Sequence, residues 1–386
     1  SGASISGDGN TILLGAWLKN GHTGAAYIFT RSGTTWTEQA KLVDLQGTAG
    51  DIFGVSTHLS YDGNTAVVGA ARSHNWGIGA AYVFTRSGTT WTEEARITGS
   101  GSNVGDLFGH VVRLSDDGNT LVVGARFGDG ITADTGAAWA FTRSGTTWTE
   151  QGKLYASDGA NGDWFASSAF ALSADGNIAL VGAMNAGAND AGAAYIFTRS
   201  GGVWSQTQKL IPTGAAAGDN FGTTTALSAD GSTAVVTAYL DDDGMTDGGA
   251  AYVFTRNGAL WQETQQLLPP QPSNGAVFGH DVAISDSGSI VALGAHSDDT
   301  PAGMDAGAAY VFRRDEAPVV VSPPDATPIR NVFTQMPIIL TWNPVTWAES
   351  YRLEISPSLT FPKPLSHEQD VIAPDHPFTD NIALAN

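Results

Sequence analysis

A Gly-Ala-Ala-aromatic stretch returns along the chain at nearly constant spacing. The aromatic falls at Tyr27, Tyr82, Trp139, Tyr195, Tyr252 and Tyr310, with successive gaps of 55, 57, 56, 57 and 58 residues. A tryptophan follows nine residues later in five copies, at Trp36, Trp91, Trp148, Trp204 and Trp261. A phenylalanine keeps step at Phe53, Phe108, Phe165, Phe221 and Phe278. A period this regular means one supersecondary unit laid down again and again, and it governs how every local motif is read.

Each unit divides into four strand-like pieces, clearest between Phe108 and Leu154. The first runs from Phe-Gly to an Asp-Gly turn. The second, Thr120 to Ala125, is apolar on consecutive residues, as suits a strand buried on both faces. The third carries Gly-Ala-Ala and then aromatics. The fourth mixes Thr, Trp and Glu, as a solvated outer strand with one anchoring ring would. Arg-Ser-Gly-Thr-Thr (Arg86 to Thr90) is a hairpin connection, and Asp-Gly-Asn-Thr (Asp62 to Thr65) a tight turn with Gly at a positive φ. No helical periodicity appears in the repeats.

The chain is therefore expected to be all-β, its repeats forming either a sandwich array or a β-propeller of four-stranded antiparallel blades. The small-residue strands favour the propeller, with Gly and Ala crowded towards the axis and aromatics filling the space between blades.

The ordered set Phe-Gly, Asp-Gly, Val-Gly-Ala, Gly-Ala-Ala-Tyr-Val-Phe closely resembles the FG-GAP repeat, the blade unit of integrin α-subunit propellers and of many bacterial surface proteins. The resemblance spans residues 1–315 and implies a propeller that commonly has seven blades. Six repeats are visible, and the sixth lacks its Trp strand after Arg314. An upstream blade, an N-terminal strand or an irregular six-bladed seam could each complete the ring. Ser1 falls inside a repeat, so the sequence is expected to continue upstream, along with any export signal.

From Ala317 the chain turns Pro-rich, which marks a linker over 316–330. Residues 331–386 resemble the first strands of a fibronectin type III-like β-sandwich, with Trp342 and Tyr351 at its core positions. A full module needs about 90 to 100 residues, so this small C-terminal segment is expected to be completed by further chain or by another subunit.

Charge and composition narrow the partners. Eighteen basic against 38 acidic side chains give a formal net charge of −20, which repels a phosphate backbone and speaks against nucleic acid. No stretch approaches the length of a membrane-spanning helix. There is no cysteine, so disulfides contribute nothing.

Carboxylates point to Ca²⁺ as a cofactor, since the ion takes six to eight oxygens and tolerates irregular geometry. The resemblance implies a calcium loop between the first and second strands. Here that loop, as in Ser115-Asp116-Asp117-Gly118-Asn119, keeps too few carboxylates and reads as a capped turn. The loop between the second and third strands is better supplied. It carries Asp241, Asp242, Asp243 and Asp247 in one blade, Asp298, Asp299 and Asp305 in another, and Asp129 and Asp134 in a third. These are the candidate metal ligands.

The Asp of Gly-Asp-x-Phe-Gly (Asp51, Asp106, Asp163, Asp219) is expected to bond backbone at blade crossings. Histidines are scattered, and only His110 and His280 are equivalent, each following Phe-Gly. With no HExxH pattern and no nucleophile elbow, the chain is expected not to be an enzyme.

The expected function is thus an extracellular or cell-surface structural or adhesion protein. Its propeller would be an interaction platform for protein partners or self-association, as in a filament, sheath or surface layer. A carbohydrate-binding propeller attached to a secreted enzyme, meeting a cell-surface glycan, is the alternative.

Overall fold

A computed structural model of the chain describes residues 2–73, 77–270, 273–299, 307–314, 333–334, 338–340 and 380–382. Each repeat forms one antiparallel four-stranded sheet whose strands lie in chain order, giving six blades of a β-propeller. In the third blade the strands are Phe108–Leu114, Thr120–Ala125, Ala137–Ser144 and Thr147–Leu154. Short helical turns occur at Lys19–His22 and Ala188–Asp190.

The first strand of each blade is the hub strand. Ala3–Ile5, Phe53–Leu59, Phe108–Leu114, Phe165–Leu172, Phe221–Leu227 and Phe278–Ile284 pack side by side from blade to blade. Their side chains reach across: Ser56 Oγ accepts from Val112 N, His58 Nδ1 from Leu114 N, and Ser168 Oγ donates to Thr223 O. The turns that follow are tied by backbone hydrogen bonds, Gly7 to Tyr61, Tyr61 to Asp116, Asp116 to Ala174, Ala174 to Ala229 and Ala229 to Asp286. This corrects the expectation that the Gly-Ala strands face the hub. They are the second and third strands, in the middle of each blade.

Glycine is needed there for a different reason. At every joint between described blades, the Phe of Phe-Gly donates its N–H to the carbonyl just before the Gly of Gly-Ala-Ala in the preceding blade. The bonds are Phe53 to Thr23, Phe108 to Ile78, Phe165 to Thr135, Phe221 to Ala191 and Phe278 to Gly248. A Cβ on Gly79 would lie 2.0 Å from Phe108 O, an impossible approach, and Gly24, Gly136, Gly192 and Gly249 meet the same obstacle. The two halves of the repeating signature thus form one backbone seam between neighbouring blades.

Aromatics fill the wedge beside that seam. Phe53 meets Tyr82 edge to face at 5.3 Å between ring centroids, and Phe108 meets Trp139 at 5.4 Å. Such pairs add roughly 0.5–1.5 kcal/mol beyond their buried area. In the inner blades the second strands Thr65–Ala70, Thr120–Ala125, Ile178–Ala183 and Thr233–Ala238 are buried throughout, which explains their unbroken apolar runs. In the sixth blade Ile290–Ala295 alternates between buried and partly exposed. Val311 is 45% exposed where the equivalent Val253 is fully buried, and in the first blade Tyr27 and Phe29 are only partly covered.

The sixth blade gains a fourth strand from Phe333–Thr334, which pairs with Arg313 and Arg314. The chain divides into two compact units, Ser1–Thr334 and Gln335–Asn386. In the second, Ile338–Leu340 pairs antiparallel with Asp380–Ile382. Trp342 and Tyr351, the expected sandwich core, lie outside the described residues, as does the Pro-rich segment 316–330. No helix of the described residues is long and apolar enough to cross a membrane.

Candidate functional site

The acidic loops prove to be structural first. Asp241 is 2% exposed and accepts hydrogen bonds from the Tyr252 hydroxyl at 2.5 Å and from Asp243 N at 2.9 Å. Asp298, equally buried, accepts from the Tyr310 hydroxyl and from Ser273 Oγ. Tyr82 and Tyr195 meet the same need with Asp44 and Asp158, which come from the preceding blade. A buried phenol must find an acceptor, and in these four blades a carboxylate supplies it. Burial together with Asp44 pushes Tyr82 up to about 12. Where Trp139 replaces the tyrosine, its indole N–H donates to Ser100 O instead.

The other candidate ligands are spread out. Asp242 accepts from Asp247 N, Asp243 from Gln266 Nε2, and Asp129 from Asn103 Nδ2 and Asp134 N. Asp299 is exposed, and Asp305 lies outside the described residues. Among the described residues no three His, Cys, Asp or Glu side chains gather as metal ligands. Asp241 and Asp298 are already engaged by tyrosines.

The Asp-Gly-Asn turns are closed units too. Asp117 accepts from Ser115 Oγ, Asn119 N and Asn119 Nδ2, and Arg143 Nε donates to Asn119 Oδ1. Burial opposes ionisation of Asp117, but those hydrogen bonds and the Arg143 charge outweigh it and hold the carboxyl below its usual range. Asp51, Asp106, Asp163 and Asp219 each accept the backbone N–H of the residue three earlier, as expected of blade crossings.

In a repeat protein the positions that recur build the blade, so specific chemistry has to sit where the copies differ. Two such positions lie at the same end of the hub, because the start of the first strand pairs with the end of the second, as Phe108 with Ala125. The residue after Phe-Gly or its equivalent is Val55, His110, Ser167, Thr223 or His280. The residue after the Ala that ends the second strand is Trp17, Arg126, Met184, Tyr239 or His296 in five blades.

They place two groups of basic and aromatic side chains at that end. The His280 and His296 rings lie 4.7 Å apart, with Tyr239 6.3 Å from His280 and Asp281 Oδ2 3.4 Å from His280 Nδ1. The Arg126 guanidinium lies 3.6 Å over the Trp164 ring. His110 Nδ1–H donates to Ser167 O at 2.7 Å. Burial lowers the His110 pKa, the Ser167 carbonyl opposes this, and the Arg126 and Arg72 charges lower it further.

Sequence reasoning noted His110 and His280 but missed these groups, because their signal is a departure from the repeat and not a motif.

The comparisons agree with the fold. A family model described as the FG-GAP repeat matches residues 36–84, 91–141, 148–197, 204–254 and 261–312. Comparison with curated proteins returns no match. Among solved structures, a protein of Bacteroides fragilis described as a candidate 6-phosphogluconolactonase superposes with a TM-score of 0.54 at 14% identity, covering 86% of this chain and 81% of that one. The periplasmic gluconolactonase of Pseudomonas aeruginosa gives 0.51 at 16% identity, covering 82% and 81%. At these identities the likeness is one of fold. It nevertheless corrects the expectation that the chain is not an enzyme. Propellers of this architecture are described as lactonases, so the lack of a catalytic motif was no ground for excluding chemistry.

Proposed function

The chain belongs to the FG-GAP repeat family, and we propose that it is an extracellular recognition module whose rigid propeller meets its ligand at the hub end of the blades. The observation that carries this reading is the separation of roles between positions. Recurrent Phe, Gly, Tyr, Trp and Asp residues are consumed by seams, turns and inter-blade contacts. Arg126, Tyr239, His280 and His296 break the repeat and lie at the same end of their blades. Such an arrangement suits the attachment of a surface module to a glycan or protein partner, since rings and charged groups on a rigid scaffold lose little freedom on binding.

The test is binding of the intact chain to a panel of surface glycans and to cells. Tyr239→Ala and His296→Ala are expected to abolish it, and Trp36→Ala, on the outer strand, to leave it intact. Normal binding by the hub variants, with loss in the Trp36 variant, would move the site to the outer strands of the blades.

The His280–His296 pair favours a second reading at the same place, a hydrolytic one. A sugar lactone is the substrate to try first, given what the two similar propellers are described as. Hydrolysis above the buffer rate that disappears in His296→Ala would support it, and a rate equal to buffer would end it.

A further inference from the structure

The cationic group at the hub end of the blades has a feature that packing alone does not explain. Arg126 Nε is buried and meets no protein hydrogen-bond acceptor. No ion pair with a carboxylate forms at Arg126 among the described residues, whereas Arg143 is paired with Glu94 and Lys209 with Asp158. In a chain of net charge −20 with more than twice as many acidic as basic groups, a partly buried guanidinium without a counter-charge is out of keeping. It is costly to enclose a cation in this way unless something compensates.

Arg126 is also held in place. Its plane rests on Trp164 at 3.6 Å, and a stacked guanidinium keeps its donor fork fixed. His110 stands near enough to feel the Arg126 charge.

We propose that Arg126, laid on Trp164 beside His110, is a recognition site for the anionic group, carboxylate or phosphate, of a small sugar-like ligand. This deepens the reading of the hub end as the place where ligand is met. Arg126 would grip the anion with its fork, and Trp164 would hold the fork in register. Protonation of His110 Nε2 would accompany binding, because burial holds the imidazole neutral with help from the Arg126 charge, and an anion offsets that charge. Affinity should then rise as the solution is made more acidic.

The test is calorimetric titration of the full chain with glucuronate, glucose 6-phosphate, inorganic phosphate and glucose, with melting curves taken for every variant. At least one anionic probe is expected to bind, more weakly as salt is raised, and glucose is not. The better of glucuronate and glucose 6-phosphate then says whether the ligand's anion is a carboxylate or a phosphate. Arg126→Gln should weaken binding about tenfold or more, as expected for loss of a charge-assisted hydrogen bond. Arg126→Lys should restore only part of it, since a point charge replaces a planar fork. Glucose binding as well as the anions, or an Arg126→Gln protein of normal melting temperature with unchanged affinity, would overturn the site. Failure of every anionic probe on the unaltered chain would do so without any variant. If that happened while the Tyr239 and His296 variants still lost their partner, the anion site would fall and the platform would stand.

Discussion

The hydroxyl of Tyr252 donates to the buried carboxylate of Asp241 at 2.5 Å, and this one contact locks a mobile-looking acidic loop onto the blade that carries it. Tyr252→Phe leaves Asp241 with Asp243 N as its remaining donor. The expected cost is about 1–3 kcal/mol of stability by denaturant unfolding. Asp241→Ala should cost a similar amount, and the double variant clearly less than the sum, because the two act as a pair. The same cycle run in calcium and in chelator is expected to give the same coupling. A coupling that appears only with calcium would make the loop a cation site after all.

Ala166 occupies a position that is Gly54, Gly109, Gly222 and Gly279 in other blades, and it sits at φ +57°. The left-handed region costs an L-residue about 1–2 kcal/mol, a penalty glycine avoids. Ala166→Gly is therefore expected to raise the unfolding midpoint, with a gain near 1 kcal/mol once glycine's greater unfolded-state freedom is offset. The converse, Gly109→Ala, should be strongly destabilising, because its Cβ would lie 2.3 Å from Ala80 O of the preceding blade.

Trp148 and Trp36 hold the same place in the repeat with different surroundings. Trp148 donates its indole N–H to Glu94 of the preceding blade at 3.0 Å, and Arg143 lies over its ring. Trp36 is 37% exposed. Trp148→Ala should accordingly cost more than Trp36→Ala, by about 1–2 kcal/mol, as side-by-side thermal melts would show. Equal losses would mean that the ring acts within its own blade and not between blades.

His58 supplies a pH dependence whose direction can be worked out. Burial, with help from the Arg113 charge, lowers its pKa from 6.5 to about 3, and its Nδ1 accepts from Leu114 N. Below 6.5 the unfolded chain takes up a proton that the folded one refuses, so stability falls as the solution is acidified towards 3. His58→Asn, which keeps an acceptor for Leu114 N, should flatten the slope of melting temperature against pH across that window. An unchanged slope would assign it to other groups.

Much of the architecture was legible in the residues themselves. The recurrence of Tyr82, Trp139 and Tyr195 at fixed intervals, the unbroken apolar run Thr120–Ala125 and the Asp-Gly-Asn turns are local or periodic signals. Each follows from a physical demand within one repeat, so counting repeats recovered six sheets and their strand order. What lay beyond reach depends on distances between residues of different blades. Gly79 looked like a hub residue, yet the close approach of the Phe108 carbonyl from the next blade decides its identity. Asp241 reads as a candidate metal ligand in the sequence, and only the structure brings the Tyr252 phenol of its own blade onto it. Arg126, Trp164 and His110 come from two blades and share no motif, so only the closing of one blade on the next brings a guanidinium onto an indole beside an imidazole. Sequence periodicity specifies the wedge because the wedge is built from local bonds. The site belongs to the tertiary structure because charges and rings act through space, and the chain order does not record which of them meet.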